Sequence, residues 1–231
     1  MNNVLEKIKG TVVVSVQAMP SEPLYLEKCM VAMMKSVLNG GAGGLRVAGV
    51  RDITNAKRLF NVPVIGITKP DRIPPNYKEI VYITPTIKDV LDVIHAGADI
   101  IAFDGTQRVR PHNEKIKDLI KYVHINKSIA MADISTVEEG IKAQEAGADI
   151  LSTTLAGYTL ESADSPADGP DFKLLEELVK NTNLPVILEG RIWEPEQVNR
   201  AFKIGAHSVV IGSAITRPQL ITKRFVFREK Q

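Results

Sequence analysis

Short apolar runs rich in β-branched residues recur along the chain and alternate with segments whose apolar positions follow helical spacing. The runs are Thr11–Ala18, Gly44–Ala48, Pro63–Lys69, Asp99–Thr106, Ser128–Ser135, Asp149–Leu155, Pro185–Gly190 and Ser208–Ile215, eight in all. Between them Ile87, Val90, Leu91 and Ile94 fall at i, i+3, i+4 and i+7, and Ile116, Leu119, Ile120 and Val123 do the same; each set makes one apolar helix face. Thr136 with Glu139 predicts a capping box, and Pro195 and Pro218 suit the first helical position. Ala96-Gly97-Ala98, Ala146-Gly147-Ala148 and Ile204-Gly205-Ala206 each place a glycine where a helix end requires a left-handed residue, just before an apolar run. This repeated joint argues for one periodic architecture.

Continuous apolar strands such as Val62-Pro63-Val64-Ile65-Gly66-Ile67 imply burial on both faces, which belongs with a parallel sheet covered by helices. Eight such units predict a (β/α)8 TIM barrel of class α/β, one domain over residues 1–231. The alternative is an open doubly wound sheet, which usually carries a glycine-rich turn after its first strand. Here that strand ends Ser15-Val16-Gln17-Ala18-Met19-Pro20. The long, proline-rich excursion Pro70–Thr86, with a short Val81-Tyr82-Ile83 run inside it, is the size of a functional lid.

Composition changes this picture little. The chain has 231 residues, 44% hydrophobic and 24% charged, ordinary for a globular domain. A formal charge of +2, evenly spread, gives no nucleic-acid footprint, and no run is long enough to span a membrane. The single cysteine, Cys29, and an opening stretch without signal-peptide features predict the cytoplasm. His95, His112, His124 and His207 are scattered without metal-ligand spacing, so no metal is expected.

The informative residues stand where the runs end, because barrels of this kind build their sites at the C-terminal strand ends. They are Gln17, Arg46, Lys69, Asp104, Asp133, Thr153 with Thr154, Glu189 and the Gly212-Ser213 turn. Lys69, Asp133 and Glu189 directly follow apolar strands, where a charge requires a partner or a role. Strand phase does not separate inward from outward positions here, since both faces are apolar. After the last two strands, Gly190, Gly212 and Ser213 allow close backbone approach to an anion, and Arg217 adds a bidentate contact, together a phosphate site.

At these residues the sequence closely resembles the N-acylglucosamine-6-phosphate 2-epimerases, also called N-acetylmannosamine-6-phosphate 2-epimerases. The matching stretches run nearly end to end. They are Ser15-Val16-Gln17-Ala18, Gly44-Leu45-Arg46, Ile65-Gly66-Ile67-Thr68-Lys69, Ala130-Met131-Ala132-Asp133-Ile134-Ser135-Thr136, Ser152-Thr153-Thr154-Leu155 with Gly157-Tyr158-Thr159, Glu189-Gly190-Arg191, and Ala214-Ile215-Thr216-Arg217-Pro218. The resemblance implies a cytoplasmic, cofactor-independent epimerase of sialic-acid and amino-sugar catabolism acting on a phosphosugar, commonly as a homodimer. It implies Lys69 and Glu189 as the catalytic pair, with Gln17, Arg46, Asp133, Thr153, Tyr158 and Arg217 binding the substrate. The chain departs from the family's pattern at Pro70, where a basic residue is common, at Gly105-Thr106, where Ala-Thr is usual, and at Ser213, often a second glycine.

Inverting C2 requires a base, an acid and a group to hold the enolate. A lysine titrates near 10.4, so Lys69 is a competent base only if burial and a cation such as Arg46 lower it. Glu189 has two open jobs, ring opening or protonation of the second face, and Asp133 either orients Lys69 or binds a sugar hydroxyl. Arg46 or the protonated Lys69 is left to hold the enolate oxygen. Rival readings are another phosphosugar isomerase, a Schiff-base aldolase, and a silent sugar-phosphate-binding protein. Against the aldolase, the sixth strand ends in Ser152, Thr153 and Thr154, with no lysine. Met30, Met33 and Met34 read as core of the first helix, Cys29 as a buried helix residue, and Trp193 as lining the mouth or covering a helix end. Lys223-Arg224-Phe225-Val226-Phe227-Arg228 is expected to form an eighth helix packed on the barrel or on a second subunit.

Overall fold

A computed structural model describes residues 2–226. Eight parallel strands close into a barrel in sequence order: β1 (Val12–Val16), β2 (Gly44–Ala48), β3 (Val64–Ile67), β4 (Ile100–Asp104), β5 (Ile129–Asp133), β6 (Ile150–Ser152), β7 (Val186–Glu189) and β8 (Ser208–Ile211). Closure is made by β1 pairing with β8, Val14 opposite Ile211. The helices are α1 (Asn2–Ile8), α2 (Glu27–Asn39), α3 (Val50–Leu59), α4 (Ile87–His95), α5 (Ile116–Ile125), α6 (Val137–Ala146), α7 (Phe172–Asn181), α8 (Pro195–Ile204), α9 (Ser213–Thr216) and α10 (Pro218–Val226). The expected (β/α)8 barrel is the fold, and the open sheet is excluded by the closed ring.

Two apolar layers hold it. One lies between strands and helices and includes Leu45, Val47, Val64, Val93 and Leu178; the other fills the barrel interior with Val13, Ile65, Ile67, Ile100, Met131, Ile150, Ile187 and Val210. Because side chains alternate along a strand, these layers assign the phase that the apolar sequence left open. Gly66 faces outward, since a Cβ there would meet Val93, Ala98 and Ile53 of the packing helices.

The helix signals agree with the structure. Thr136 and Glu139 form a capping box, Pro195 and Pro218 begin α8 and α10, and Gly97, Gly147 and Gly205 have φ of 94°, 102° and 117°. Met30 and Met34 are buried core residues. Three expectations are corrected. The helix carrying those methionines is preceded by α1, whose Ile8 plugs the N-terminal end of the barrel. The eighth run stops at Ile211, because Gly212 breaks the strand and Ser213–Thr216 coils into α9. Cys29 is half-buried, being on a flank of α2 between core and solvent.

Residues 70–86 form no strand. The Val81-Tyr82-Ile83 run instead folds over the barrel mouth, where Ile83 joins the interior layer and its carbonyl accepts from the Asp104 N–H. Of the C-terminal stretch, Phe227 and Arg228 lie outside the described residues. Arg224 stacks 4.4 Å from the Trp193 ring centroid and reaches Glu194. Among the described residues no helix is long and apolar enough to cross a membrane.

Candidate active site

A cavity of about 430 Å³ opens at the C-terminal end of the strands, lined among others by Gln17, Lys69, Thr154, Tyr158, Glu189 and Arg217. Its polar residues share one phase. Val13, Ser15 and Gln17; Ile65, Ile67 and Lys69; Ile129, Met131 and Asp133; Ile187 and Glu189 are inward-facing series at a spacing of two. Each of these four strands therefore supplies apolar packing below and a polar tip above.

Lys69 follows β3 and donates from Nζ to Gln17 Oε1 at 2.9 Å, while Gln17 Nε2 donates to Ser15 Oγ at 2.9 Å. Desolvation, then the nearby Arg46 charge, lower the Lys69 ammonium to about 8. The backbone before it is fixed, since Thr68 N–H donates to Thr84 Oγ1 and Thr68 Oγ1 to Asp89.

Beneath the cavity lies an ion-pair cluster. Arg46 gives two bonds to Asp133, at 3.1 Å and 2.5 Å, and its Nη1 lies 3.0 Å from Glu189 Oε2. Burial works against the Arg46 charge, but the two carboxylates outweigh it and hold the guanidinium above its ordinary range. Burial raises Glu189 above the usual carboxyl range; Arg46 pulls it back, and Asp133 adds to the rise. Arg46 and Asp133, expected to touch the substrate, are 1% and 0% exposed and form the floor below the cavity lining. Asp133 therefore contacts Arg46 and Thr154 and makes no hydrogen bond to Lys69.

Thr153 is also displaced from its expected place. It has the outward phase of Leu151, and its hydroxyl donates to the Glu189 carbonyl while accepting from the Glu189 N–H, at 2.9 and 3.0 Å. The residue that faces the cavity is Thr154, which the same alternation from Ile150 through Ser152 would have indicated. Tyr158 stands on the cavity wall, 38% exposed, with Arg191 stacked 5.5 Å from its ring centroid. Arg191 donates to the carbonyls of Gly169 and Ala156, tying the loop after β6 to the end of β7. Trp193 lines the cavity as well.

On the side formed by β7 and β8, Gly190 has φ of 111°, with open space where a side chain would stand, and Gly212 and Ser213 lead into α9. Arg217 borders the same part and is held from behind by Glu22, Nη1 to Oε1 at 2.7 Å. Glu22 also accepts from Met19 N–H and Gln219. Sequence reading missed Glu22, which lies in a loop far from Arg217 along the chain. Asp104 is fully buried and pairs with Arg108 at 2.6 Å; Arg108 in turn donates to the carbonyls of Tyr77 and Lys78. Asp104 thus anchors the 70–86 excursion rather than lining the cavity.

Fold and site together define a single-domain (β/α)8 barrel whose mouth carries an amine of depressed basicity and a half-buried carboxyl from separate strands. Residues 30–231 match the family model described as "Putative N-acetylmannosamine-6-phosphate epimerase". The chain is 49% identical over 223 residues to a "Putative N-acetylmannosamine-6-phosphate 2-epimerase" of Clostridioides difficile, covering 96% of this chain and 97% of that one. The solved N-acetylmannosamine-6-phosphate 2-epimerase of Clostridium perfringens superposes with a TM-score of 0.90 at 46% identity, covering 96% and 94% of the two chains. A tryptophan synthase α-subunit from Pyrococcus furiosus, at a TM-score of 0.64 and 14% identity over 90% of this chain and 89% of that one, shares the fold alone. This chain belongs to the N-acetylmannosamine-6-phosphate epimerase family.

Proposed function

We propose that this protein is an isomerase that interconverts N-acetylmannosamine 6-phosphate and N-acetylglucosamine 6-phosphate by moving a proton at C2, with its own side chains as acid and base. The observation that carries the reading is positional. Lys69 stands two residues after β3 and Glu189 ends β7, four strands apart in an eight-strand ring, so they stand on opposite walls of one cavity. Inversion returns the proton to the face opposite the one it left, and two groups on opposite walls can do this without the enolate having to turn over.

In the open-chain sugar the C2 hydrogen lies next to the C1 carbonyl and is acidic enough for an amine to remove. With Lys69 near 8, roughly a tenth of it is neutral at pH 7, enough for a general base. Removal leaves an enolate and an ammonium, and that ammonium is the cation nearest the new charge. Arg46 acts through its charge on Lys69 and Glu189. Glu189, its carboxyl held above the ordinary range, returns a proton to the other face.

The phosphate belongs at Gly190, Gly212 and Ser213, where backbone can approach closely beside the short helix that follows β8, with Arg217 as its cation. Gln17 and Tyr158 contact the sugar. A role in sialic-acid and amino-sugar catabolism, a cytoplasmic location and a homodimeric state complete the reading. Proton NMR of N-acetylmannosamine 6-phosphate with the protein in deuterated water tests it. The expected result is formation of the C2 epimer with loss of the C2 proton signal; cleavage to smaller products, or an unchanged spectrum, refutes it.

A further inference from the structure

Thr154 has one hydroxyl proton and three oxygens within reach of it, two of them on carboxyls. Its Oγ1 lies 2.9 Å from Asp133 Oδ1, 3.0 Å from Glu189 Oε2 and 2.8 Å from Ser152 Oγ. A hydroxyl donates one bond and accepts two, so Thr154 cannot serve both carboxyls at once. Asp133 is already bound at both oxygens by Arg46. On Glu189, both Arg46 and Thr154 approach the same oxygen, Oε2. Among the described residues no hydrogen bond is made to Oε1, and Glu189 lines the cavity.

We propose that Thr154 is a positioning residue for the acid–base step, a rotating hydroxyl that anchors Oε2 and leaves Oε1 to exchange the proton with the substrate. When Glu189 is ionised, its charged Oε2 is a strong acceptor and takes the Thr154 proton, while Ser152 donates to Thr154. When Oε1 is protonated, Oε2 becomes a weaker acceptor, and the Thr154 proton turns to Asp133 Oδ1. No proton enters or leaves the Ser152–Thr154 pair in this cycle; only the O–H torsion changes. The charged and titratable groups that face Glu189 are Arg46 from β2, Lys69 beyond β3 and Asp133 from β5. Of the side chains around it, Thr154 is the neutral hydroxyl able to follow its charge by rotation.

Two consequences separate this role from packing. Loss of the hydroxyl removes a donor to the ionised form, so Glu189 should hold its proton to higher pH. It also leaves Oε2 tied by Arg46 alone, so turnover falls while substrate affinity changes little.

The inference rests on the acid–base reading of Glu189, and the test keeps the two apart. Glutamate labelled with carbon-13 at the side-chain carboxyl is titrated by NMR in wild type, Thr154→Val and Thr154→Ser, with Glu189→Gln identifying the resonance. Expected is an upward shift of the Glu189 midpoint by about half to one pH unit in Thr154→Val, and a wild-type midpoint in Thr154→Ser. In the C2 exchange assay Thr154→Val should lower kcat about tenfold with KM within about threefold, and move the limb of the pH profile that follows Glu189 by the same amount. A Thr154→Val protein that titrates like wild type, or a Thr154→Ser protein as impaired as Thr154→Val, overturns the proposal. Thermal melting accompanies each variant; if Thr154→Val does not fold, Thr154→Ala carries the same prediction. Should the wild-type protein leave the sugar unexchanged, the functional reading fails, and the Glu189 midpoint still decides the role of Thr154.

Discussion

Arg46 Nη1 lies 3.0 Å from Glu189 Oε2, and the same guanidinium spans to Asp133 at 3.1 Å and 2.5 Å. One buried cation from β2 thereby joins carboxyls on β7 and β5; Arg46 and Asp133 lie under the cavity, and Glu189 lines it opposite Lys69. Pairs of this kind contribute little net stability against an apolar replacement of the whole set, but removing one partner strands the others without water.

Arg46→Met is therefore expected to cost about 3–5 kcal/mol in urea unfolding at neutral pH, because Asp133 is left fully buried and Glu189 partly buried without their shared cation. The deficit should shrink as pH falls, since protonation removes the stranded charges while the unfolded state takes up protons in either protein. Arg46→Lys should recover part of the stability but not the two-pronged hold on Asp133. A deficit that stays constant down to acid pH would argue against the ion cluster as its origin.

Lys69→Ala should fold and lose C2 hydrogen exchange in deuterated water together with epimerisation. In the wild type, kcat/KM should rise with pH through about 8, where the amine loses its proton. Full exchange in Lys69→Ala would remove this residue from the mechanism.

The same lysine should weaken the fold. Its folded-state value of about 8 lies below that of an unfolded lysine, so the unfolded chain binds the extra proton between about 8 and 10.5, and stability rises with pH across that window. Below it the penalty is fully present. Lys69→Met is predicted to gain on the order of 1–3 kcal/mol at pH 7 and to flatten the pH dependence between 8 and 10.5. Thermal melts across that range provide the check.

Glu22 holds Arg217 at 2.7 Å and braces the loop after β1 against the start of α10. Arg217→Ala should raise KM for the phosphorylated sugar more than it lowers kcat, by about tenfold or more for a charge-assisted phosphate contact. Glu22→Gln should give a smaller change of the same kind, through a misplaced guanidinium. Unchanged KM in both variants would take the phosphate elsewhere.

Gly105 has no room for a side chain. A Cβ there would lie 2.9 Å from both Ala132 Cβ and Ile134 Cγ2. Gly105→Ala, although it restores the residue usual in the resembling family, should destabilise this chain by about 1–3 kcal/mol through crowding between β4 and β5. A neutral effect would mean that the β5 side chains yield without strain.

Much of the fold was legible in the chain. Eight apolar runs, the capping box at Thr136 and three glycine joints at Gly97, Gly147 and Gly205 are local features, set by residues a few positions apart, and they determined the strand count, the helix ends and the barrel. Residue types at the strand ends, with their resemblance to the epimerase pattern, singled out Lys69, Glu189 and Arg217. What the tertiary structure decided was phase and depth. Both faces of every strand are apolar, so alternation puts Thr153 with Leu151 and Thr154 with Ile150, but only the closed barrel decides that the set with Thr154 faces the cavity while Thr153 holds the Glu189 backbone. The pairing of Arg46 with Asp133, 87 residues apart, is likewise made only when the ring closes and buries both below the cavity lining. The partnership of Glu22 with Arg217 belongs to the same group, because a contact between the two ends of the chain exists only once the eighth strand has closed on the first.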